Sequence, residues 1–459
     1  MRWRVIYNPK LTKLLFNGVL GILLLSAAFL GFQPQATAGQ ELEPQELEQE
    51  VACADFVAEN DFEIYHDVEF GESATFHFCW HNTAEIEQAS ILIQVENFKE
   101  PFSTLPITPA KANPGDLIDL NYQIDLTERL IPPFSTIYYT WTVDYKAGGS
   151  KEFSTRSFEY VDSRIEWQRL DFASDLGRSV QIYSETQHRP IAEIALETIA
   201  KSLPEITKII PAGNNDVSDS DLDIYLYPDV QTFQSALRLS GLDWVAGKAS
   251  PEIGVIMLPI AHGTDEAAAA IDLAQQLPHE LAHILIYQAT GEGYSNFPSW
   301  LDEGIATSVE AIPNPNYAES LKNVTHENQL IQLSDMCMNL PIQPPEMALL
   351  GYAQSHALVN YLTAEYGTTA VQSIIKAVAD GAECKEAVTQ GFDNLGIKMT
   401  QEQLVQKWLG SLQPGPFEPG SSLRNGLFLI LGIIGLFVVV SVILWARTDS
   451  IRTGSKFNG

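Results

Sequence analysis

Apolar and polar positions follow two different rhythms along the chain. Between about residues 51 and 163 they fall in short runs rich in aromatic and β-branched side chains. Ala74-Thr-Phe-His-Phe-Cys-Trp-His81, Ser90-Ile-Leu-Ile-Gln-Val95, Leu117–Ile124 and Thr136–Tyr145 have the make-up of strands. Asn113-Pro-Gly115 and Gly148-Gly149 supply turn chemistry between and beside them. Four or more short strands with almost no helical period predict an all-β sandwich of immunoglobulin or fibronectin type over 53–163.

From about Ile165 the rhythm alternates. Strands are expected at Ser179–Tyr183, Asp223–Tyr227 and Gly254–Leu258, and helices at Ile191–Ile209 (interrupted at Pro204) and Val230–Leu239. Two further helices follow, Thr264–Gln276 and Pro278–Ala289, and beyond Trp300 the pattern is mostly helical. This reads as a second domain mixing strands and helices, over 165–410.

The two ends have their own patterns. Arg2, Arg4, Lys10 and Lys13 precede the apolar run Leu14–Phe32 and the small residues Ala36-Thr37-Ala38. That order predicts a secretory signal peptide over 1–38, with a retained signal anchor as the alternative. Residues 39–52 form an acidic leader, in which Gln40–Glu50 alone carries five glutamates. Residues 411–425 read as a Pro/Gly-rich linker, and Gly426–Trp445 is a run without a charge. At about 1.5 Å per residue that run matches the hydrocarbon thickness of a bilayer. The expectation is a transmembrane helix over 426–446 with a short tail, 447–459, placed inside by Arg447, Arg452 and Lys456. The expected location is the cell membrane, single-pass, with the N-terminal part outside.

Composition narrows the partners. The chain has 459 residues, with 27 Lys and Arg against 58 Asp and Glu, a formal charge of −31. A surface of that sign repels phosphate backbones, so a nucleic-acid partner is not expected. Four cysteines, without a CxxC pair, give neither a zinc ribbon nor a disulfide-built scaffold. They allow three pairings; the local ones, Cys53–Cys79 and Cys337–Cys384, each close within one expected domain. Oligomeric state is left open.

The chemistry lies in Leu277-Pro-His-Glu-Leu-Ala-His-Ile-Leu-Ile-Tyr287. His279 and His283 stand four residues apart, one turn of an α-helix, and so share a face. Two imidazoles so placed take two corners of a tetrahedral Zn²⁺ site. Glu280, about 100° around the helix, stands beside the metal and can accept a proton from a bound water. Pro278 is expected in the first turn of this helix. Beyond Gly291-Glu-Gly293 comes Pro298-Ser-Trp-Leu-Asp-Glu-Gly-Ile-Ala306, where Glu303 offers a third ligand and leaves the fourth corner open. Asp302, Thr307 and Glu310 are candidates for holding the imidazoles. His77 and His81 sit in a strand-like run and read as core or surface histidines.

HELAH followed by WLDEGIA resembles the gluzincin zinc metallopeptidases, above all their peptidase-MA-like branch, over roughly 165–410. The resemblance implies an α+β metallopeptidase domain in which His279, His283 and Glu303 are the zinc ligands and Glu280 the general base. Gly351-Tyr352 opens a helix similar to the family's next one, which implies that Tyr352 stabilises the tetrahedral intermediate; packing is the other reading of this tyrosine. Gly254–Leu258 resembles the sheet edge along which such enzymes align an extended peptide. The Gly-x-Met-Glu-Asn signature of the aminopeptidases is absent. The expected whole is therefore a multi-domain chain with a sandwich, a gluzincin-type domain and one C-terminal transmembrane helix. It would act as a membrane-anchored, extracytoplasmic zinc peptidase on peptide or protein substrates. The alternative is a catalytically silent surface binding or adhesion protein using the sandwich, with a zinc-stabilised peptidase-like scaffold.

Overall fold

The computed structural model describes residues 53, 62–81, 85–96, 98, 103–107, 117–128, 130–172, 179–211, 222–238, 245–263, 265–322, 324 and 329–412. The expected signal peptide, acidic leader, transmembrane helix and tail lie outside the described residues, as does the linker apart from 411 and 412. Residues 1–55 form one unit, of which Cys53 alone is described, and residues 56–459 form the other. All that follows concerns the second.

Its N-terminal part holds two antiparallel sheets. The first pairs β1 (Phe62–Glu69), β2 (Ser73–His81) and β5 (Leu117–Asp125) in the order β1-β2-β5. The second runs β4-β3-β6-β7, built from β3 (Ile86–Val95), β4 (Ser103–Ile107), β6 (Thr136–Tyr145) and β7 (Ser150–Glu152). β8 (Arg156–Glu159) also pairs with β6. Alternate residues point inward: Phe76, Phe78 and Trp80 from β2, Ala89, Ile91 and Ile93 from β3, and Ile137, Tyr139 and Trp141 from β6 are all buried in one core. Period-two burial is what an antiparallel sheet with one wet face requires. Phe78 stacks on Trp141 across the two sheets, with ring centroids 5.5 Å apart.

The next sheet has the order β12-β13-β11-β10-β9. β10 (Val180–Ser184), β11 (Leu222–Tyr227) and β13 (Val255–Pro259) are parallel neighbours. They are flanked by antiparallel β9 (Gln168–Phe172) and β12 (Lys248–Ser250). Every residue of β13 is buried, because parallel central strands are covered on both faces. On one face lie α1 (Arg189–Ile206) and α3 (Glu266–Thr290), sharing a core with Ile182, Ile224, Ile256 and Leu258. On the other face α2 (Val230–Leu237) brings Phe233 against Tyr225, Tyr227 and Met257. There too the two-sheet region docks: Phe134 stacks on Tyr225 at 3.4 Å between centroids, and Trp167 meets Tyr227 edge-on. Tyr225 also donates its hydroxyl to Glu159, and Arg238 donates to the carbonyls of Thr127 and Gly71.

The remainder is helical: α4 (Ser299–Ser308), α5 (Asn316–Leu321), α6 (Pro345–Tyr366), α7 (Thr368–Ala379), α8 (Cys384–Asn394) and α9 (Gln401–Leu412). A Cys337–Cys384 disulfide ties the turn before α6 to the start of α8, and no described cysteine is free.

Three expectations are corrected. No helix among the described residues is long and apolar enough to cross a membrane. The fold class with a C-terminal transmembrane helix, and the single-pass placement drawn from it, are replaced by β-sheets in the N-terminal part followed by an α-rich region. The physical reason is plain in the longest helices: in the 25-residue α3 the apolar positions are interrupted by Asp272, Gln275, Gln276, His279, Glu280 and His283, and in the 22-residue α6 by Gln354, His356 and Asn360. Thr264–Gln276 and Pro278–Ala289 are one continuous helix, α3, with Pro278 inside it. Finally, β13 is bonded on both sides, so the sheet edge is β12 rather than Gly254–Leu258.

Candidate metal centre

Helix α3 starts where Asp265 accepts hydrogen bonds from the N–H groups of Ala267 and Ala268, at 3.1 Å each. Leu273, Leu277, Leu281 and Ile284 then bury one stripe against the sheet. His279 and His283 project from a different stripe, their rings edge to face with centroids 5.1 Å apart.

Pro278 does more than interrupt a hydrogen-bond ladder. Without an N–H it cannot bond the carbonyl of Ala274. That carbonyl accepts instead from the backbone N–H of Ala311, at 3.0 Å. The exchange stitches the chain just after α4 to the middle of α3 and brings Glu310 beside the first histidine. Glu310 Oε1 lies 3.0 Å from His279 Nδ1, and Asp302 Oδ1 lies 2.8 Å from His283 Nδ1. Ionised carboxylates only accept, so each Nδ1 carries a proton and donates, which leaves Nε2 as the nitrogen that a metal would take. Tyr294, in the 3-10 turn Gly291–Asn296, donates its hydroxyl to the other oxygen of Asp302 at 3.0 Å.

Both Nε2 atoms face one carboxylate oxygen. Glu303 Oε2 lies 3.3 Å from His279 Nε2 and 3.8 Å from His283 Nε2. This oxygen is buried and has no hydrogen-bond partner. Ligand atoms of His279, His283 and Glu303 all fall within 4.8 Å of one another. Two imidazole nitrogens, neutral once a metal displaces any proton they hold, and one buried carboxylate oxygen form a borderline-soft, three-donor set that suits zinc and leaves room for a fourth ligand.

Two glycines set the clearances around this group. A Cβ on Gly304 would stand 2.6 Å from the carbonyl oxygen of Ser355, so the bare backbone lets α4 lie close on α6. That contact sets Glu303 and Tyr352 on adjoining helices, and both line the cavity that holds the histidines. A Cβ on Gly247 would stand 2.7 Å from Glu280 Oε1, so the segment entering β12 passes directly over the Glu280 carboxylate. Glu280 itself is 8% exposed.

Charges in this pocket compensate one another. Burial pulls the His279 imidazole down, but the carboxylates of Glu303, Glu310 and Glu280 outweigh it and raise the group well above its ordinary value. His283 is raised in the same way, burial being overcome by Asp302 and then Glu303. Burial would lift the Glu303 carboxyl; His279, His283 and Lys248 reverse this and hold it below the ordinary carboxylate range. The phenol of Tyr352 is pushed well up, by burial first and then by the charges of Glu303 and Glu280, so it stays protonated and able to donate. Tyr294 is likewise raised, by burial and then by Asp302.

Of the three residues singled out for holding the imidazoles, Asp302 and Glu310 do so. Thr307 instead bonds the carbonyls of Glu303 and Gly304 within its own helix. Tyr294 and Gly247 went unread in the sequence. The tyrosine follows a glycine break, and its role depends on a 3-10 turn that spacing alone does not announce.

Residues 210–408 match the family model of the peptidase MA superfamily. The match supports a gluzincin-type, peptidase-like domain over that stretch. No curated protein matches the chain.

Proposed function

We propose that this chain is a zinc-dependent peptidase whose metal is held by His279, His283 and Glu303. The observation that carries the reading is the convergence of both Nε2 atoms on the unsatisfied Glu303 Oε2, with Glu280 beside them. The domain is taken to run over 165–410, because β9 and β10, which precede the matched stretch, complete the sheet that supports α3, and α1, which also precedes it, shares their core. Zinc bound there would supply a water of lowered pKa and polarise the scissile carbonyl.

The chain's own residues do the rest. Glu310 and Asp302 fix the imidazole tautomers, and Tyr294 fixes Asp302. Glu280 takes the proton of the attacking water and hands it to the departing amine. Tyr352, protonated and buried among carboxylates, donates to the developing oxyanion. Gly247 keeps the backbone close enough to hold the Glu280 carboxylate in one position.

The test is a digest of a diverse peptide library by the full chain, read by mass spectrometry. Wild-type protein should give cleavage that a chelator abolishes and zinc restores. Glu280→Gln should retain zinc and lose cleavage. Full activity in that variant overturns the mechanism; binding of peptides without cleavage by wild type supports the silent binding protein instead.

A further inference from the structure

The cavity that contains the metal-site residues has a volume of about 1140 Å³. That exceeds the roughly 300–1,000 Å³ of ordinary small-molecule sites and suits an extended chain. Part of its wall does not come from the sheet and helices that carry the histidines. It comes from the two-sheet region: Leu130, Ile131, Pro132 and Pro133 from the β5–β6 connection, and Phe98 from the turn after β3.

This wall is fixed. Phe134, at the end of the connection, has φ of +68°, a left-handed conformation that a bulky residue holds only where its surroundings over-determine it. Here its N–H donates to the carbonyl of Tyr160 at 2.8 Å, and its ring lies flat on Tyr225 in β11. Ser135 N–H turns back to the carbonyl of Pro132. Two consecutive prolines stiffen the backbone further. The connection is thus pinned both to its own sheets and to the sheet beneath the metal site.

The wall is also apolar. Leu130 is 64% exposed and Phe98 44% exposed, both are among the residues lining the cavity, and neither Ile131 nor the two prolines adds a charge. The same cavity is lined from the metal-site helices by Glu280, Asp302, Glu303 and Glu310. A cavity lined by carboxylates from the metal-site helices and by apolar side chains from the two-sheet region sorts its occupant by side chain.

We propose that the β5–β6 connection is a rigid wall of the peptide cleft and that Leu130, with Phe98, receives an apolar side chain of the substrate. This deepens the peptidase reading and rests on it. It also gives the two-sheet region a part in substrate selection.

The test compares full-length wild type with Leu130→Asp and Leu130→Met. In library digests, wild type should enrich an apolar residue at one fixed distance from the cut. One misplaced apolar contact changes discrimination by roughly 10–200-fold. Leu130→Asp should therefore lower kcat/KM for the enriched peptides at least tenfold, while peptides with a polar residue at that position change less than twofold. Leu130→Met should behave as wild type. Where wild type cleaves, an unchanged profile in Leu130→Asp, or cut sites without enrichment in wild type, overturns the proposal. A second readout separates it from the peptidase reading: binding of a fluorescent apolar library peptide to Glu280→Gln, with and without Leu130→Asp. Where wild type itself cleaves no peptide, binding to Glu280→Gln that Leu130→Asp weakens leaves the subsite standing and removes the peptidase. Loss of both signals removes both.

Discussion

Glu310 is the sharpest place to perturb the metal centre without touching a ligand. It is 8% exposed and accepts from His279 Nδ1 at 3.0 Å. It occupies that place because Pro278 frees the Ala274 carbonyl for Ala311. A charge-assisted hydrogen bond between buried groups contributes about 1.5–3 kcal/mol. Loss of such a partner lowers metal affinity by about 10–100-fold, or roughly 1.4–2.8 kcal/mol, so the two scales agree. Glu310→Ala removes the acceptor, strands a buried N–H and frees the ring to turn; zinc affinity should fall by about 10–100-fold. Glu310→Gln keeps an acceptor and loses only the charge, so it should fall between Glu310→Ala and wild type. Competition with a fluorescent zinc chelator at fixed pH measures all three. Affinities of Glu310→Ala and wild type within a factor of two, with both chains folded, would refute the claim that His279 is oriented through this carboxylate.

Three other perturbations follow from the same geometry. Gly247→Ala pushes a methyl into the Glu280 carboxylate and should cost roughly 10–100-fold in kcat with zinc affinity little changed, measured by steady-state hydrolysis beside metal titration. Gly304→Ala forces a Cβ against the Ser355 carbonyl and should destabilise the chain by about 1–3 kcal/mol, seen as a Tm lower by several degrees in calorimetry. Replacing both Cys337 and Cys384 by Ser opens a closure with a sequence separation of 47 and should cost up to about 4 kcal/mol in denaturant unfolding, with zinc binding retained.

How much of this was legible depended on whether the cause was local. The strands β2, β3 and β6 were readable because alternate residues, such as Phe76 and Phe78 or Ile137 and Tyr139, face one core. The pairing of His279 with His283 follows from helix geometry alone. Glu303 was within reach because Gly291–Gly293 and Pro298 mark a turn into a new helix. Three features escaped because tertiary contacts, not local pattern, decide them. Pro278 looked like a helix start, yet Ala311, 33 positions downstream, satisfies the carbonyl that the proline abandons. The edge strand Lys248–Ser250 is three residues long and has no β-branched or aromatic side chain to announce it. Tyr294 acts through Asp302 by way of a turn fixed by tertiary packing. The partners lie five to nine positions on for the edge strand and eight for Tyr294, and far downstream only for Ala274, but in each case propensity yields to contacts that spacing does not encode.

The coordination of the bound metal tests the account most directly. X-ray absorption at the zinc edge of the full chain, loaded with one equivalent, should show a light first shell with nitrogen at about 2.0–2.1 Å, two imidazole scattering signatures and no sulfur. The imidazole signatures should vanish in a His279→Ala/His283→Ala variant. A sulfur shell near about 2.3 Å, or an unchanged spectrum in that variant, would place the metal elsewhere and contradict the assignment.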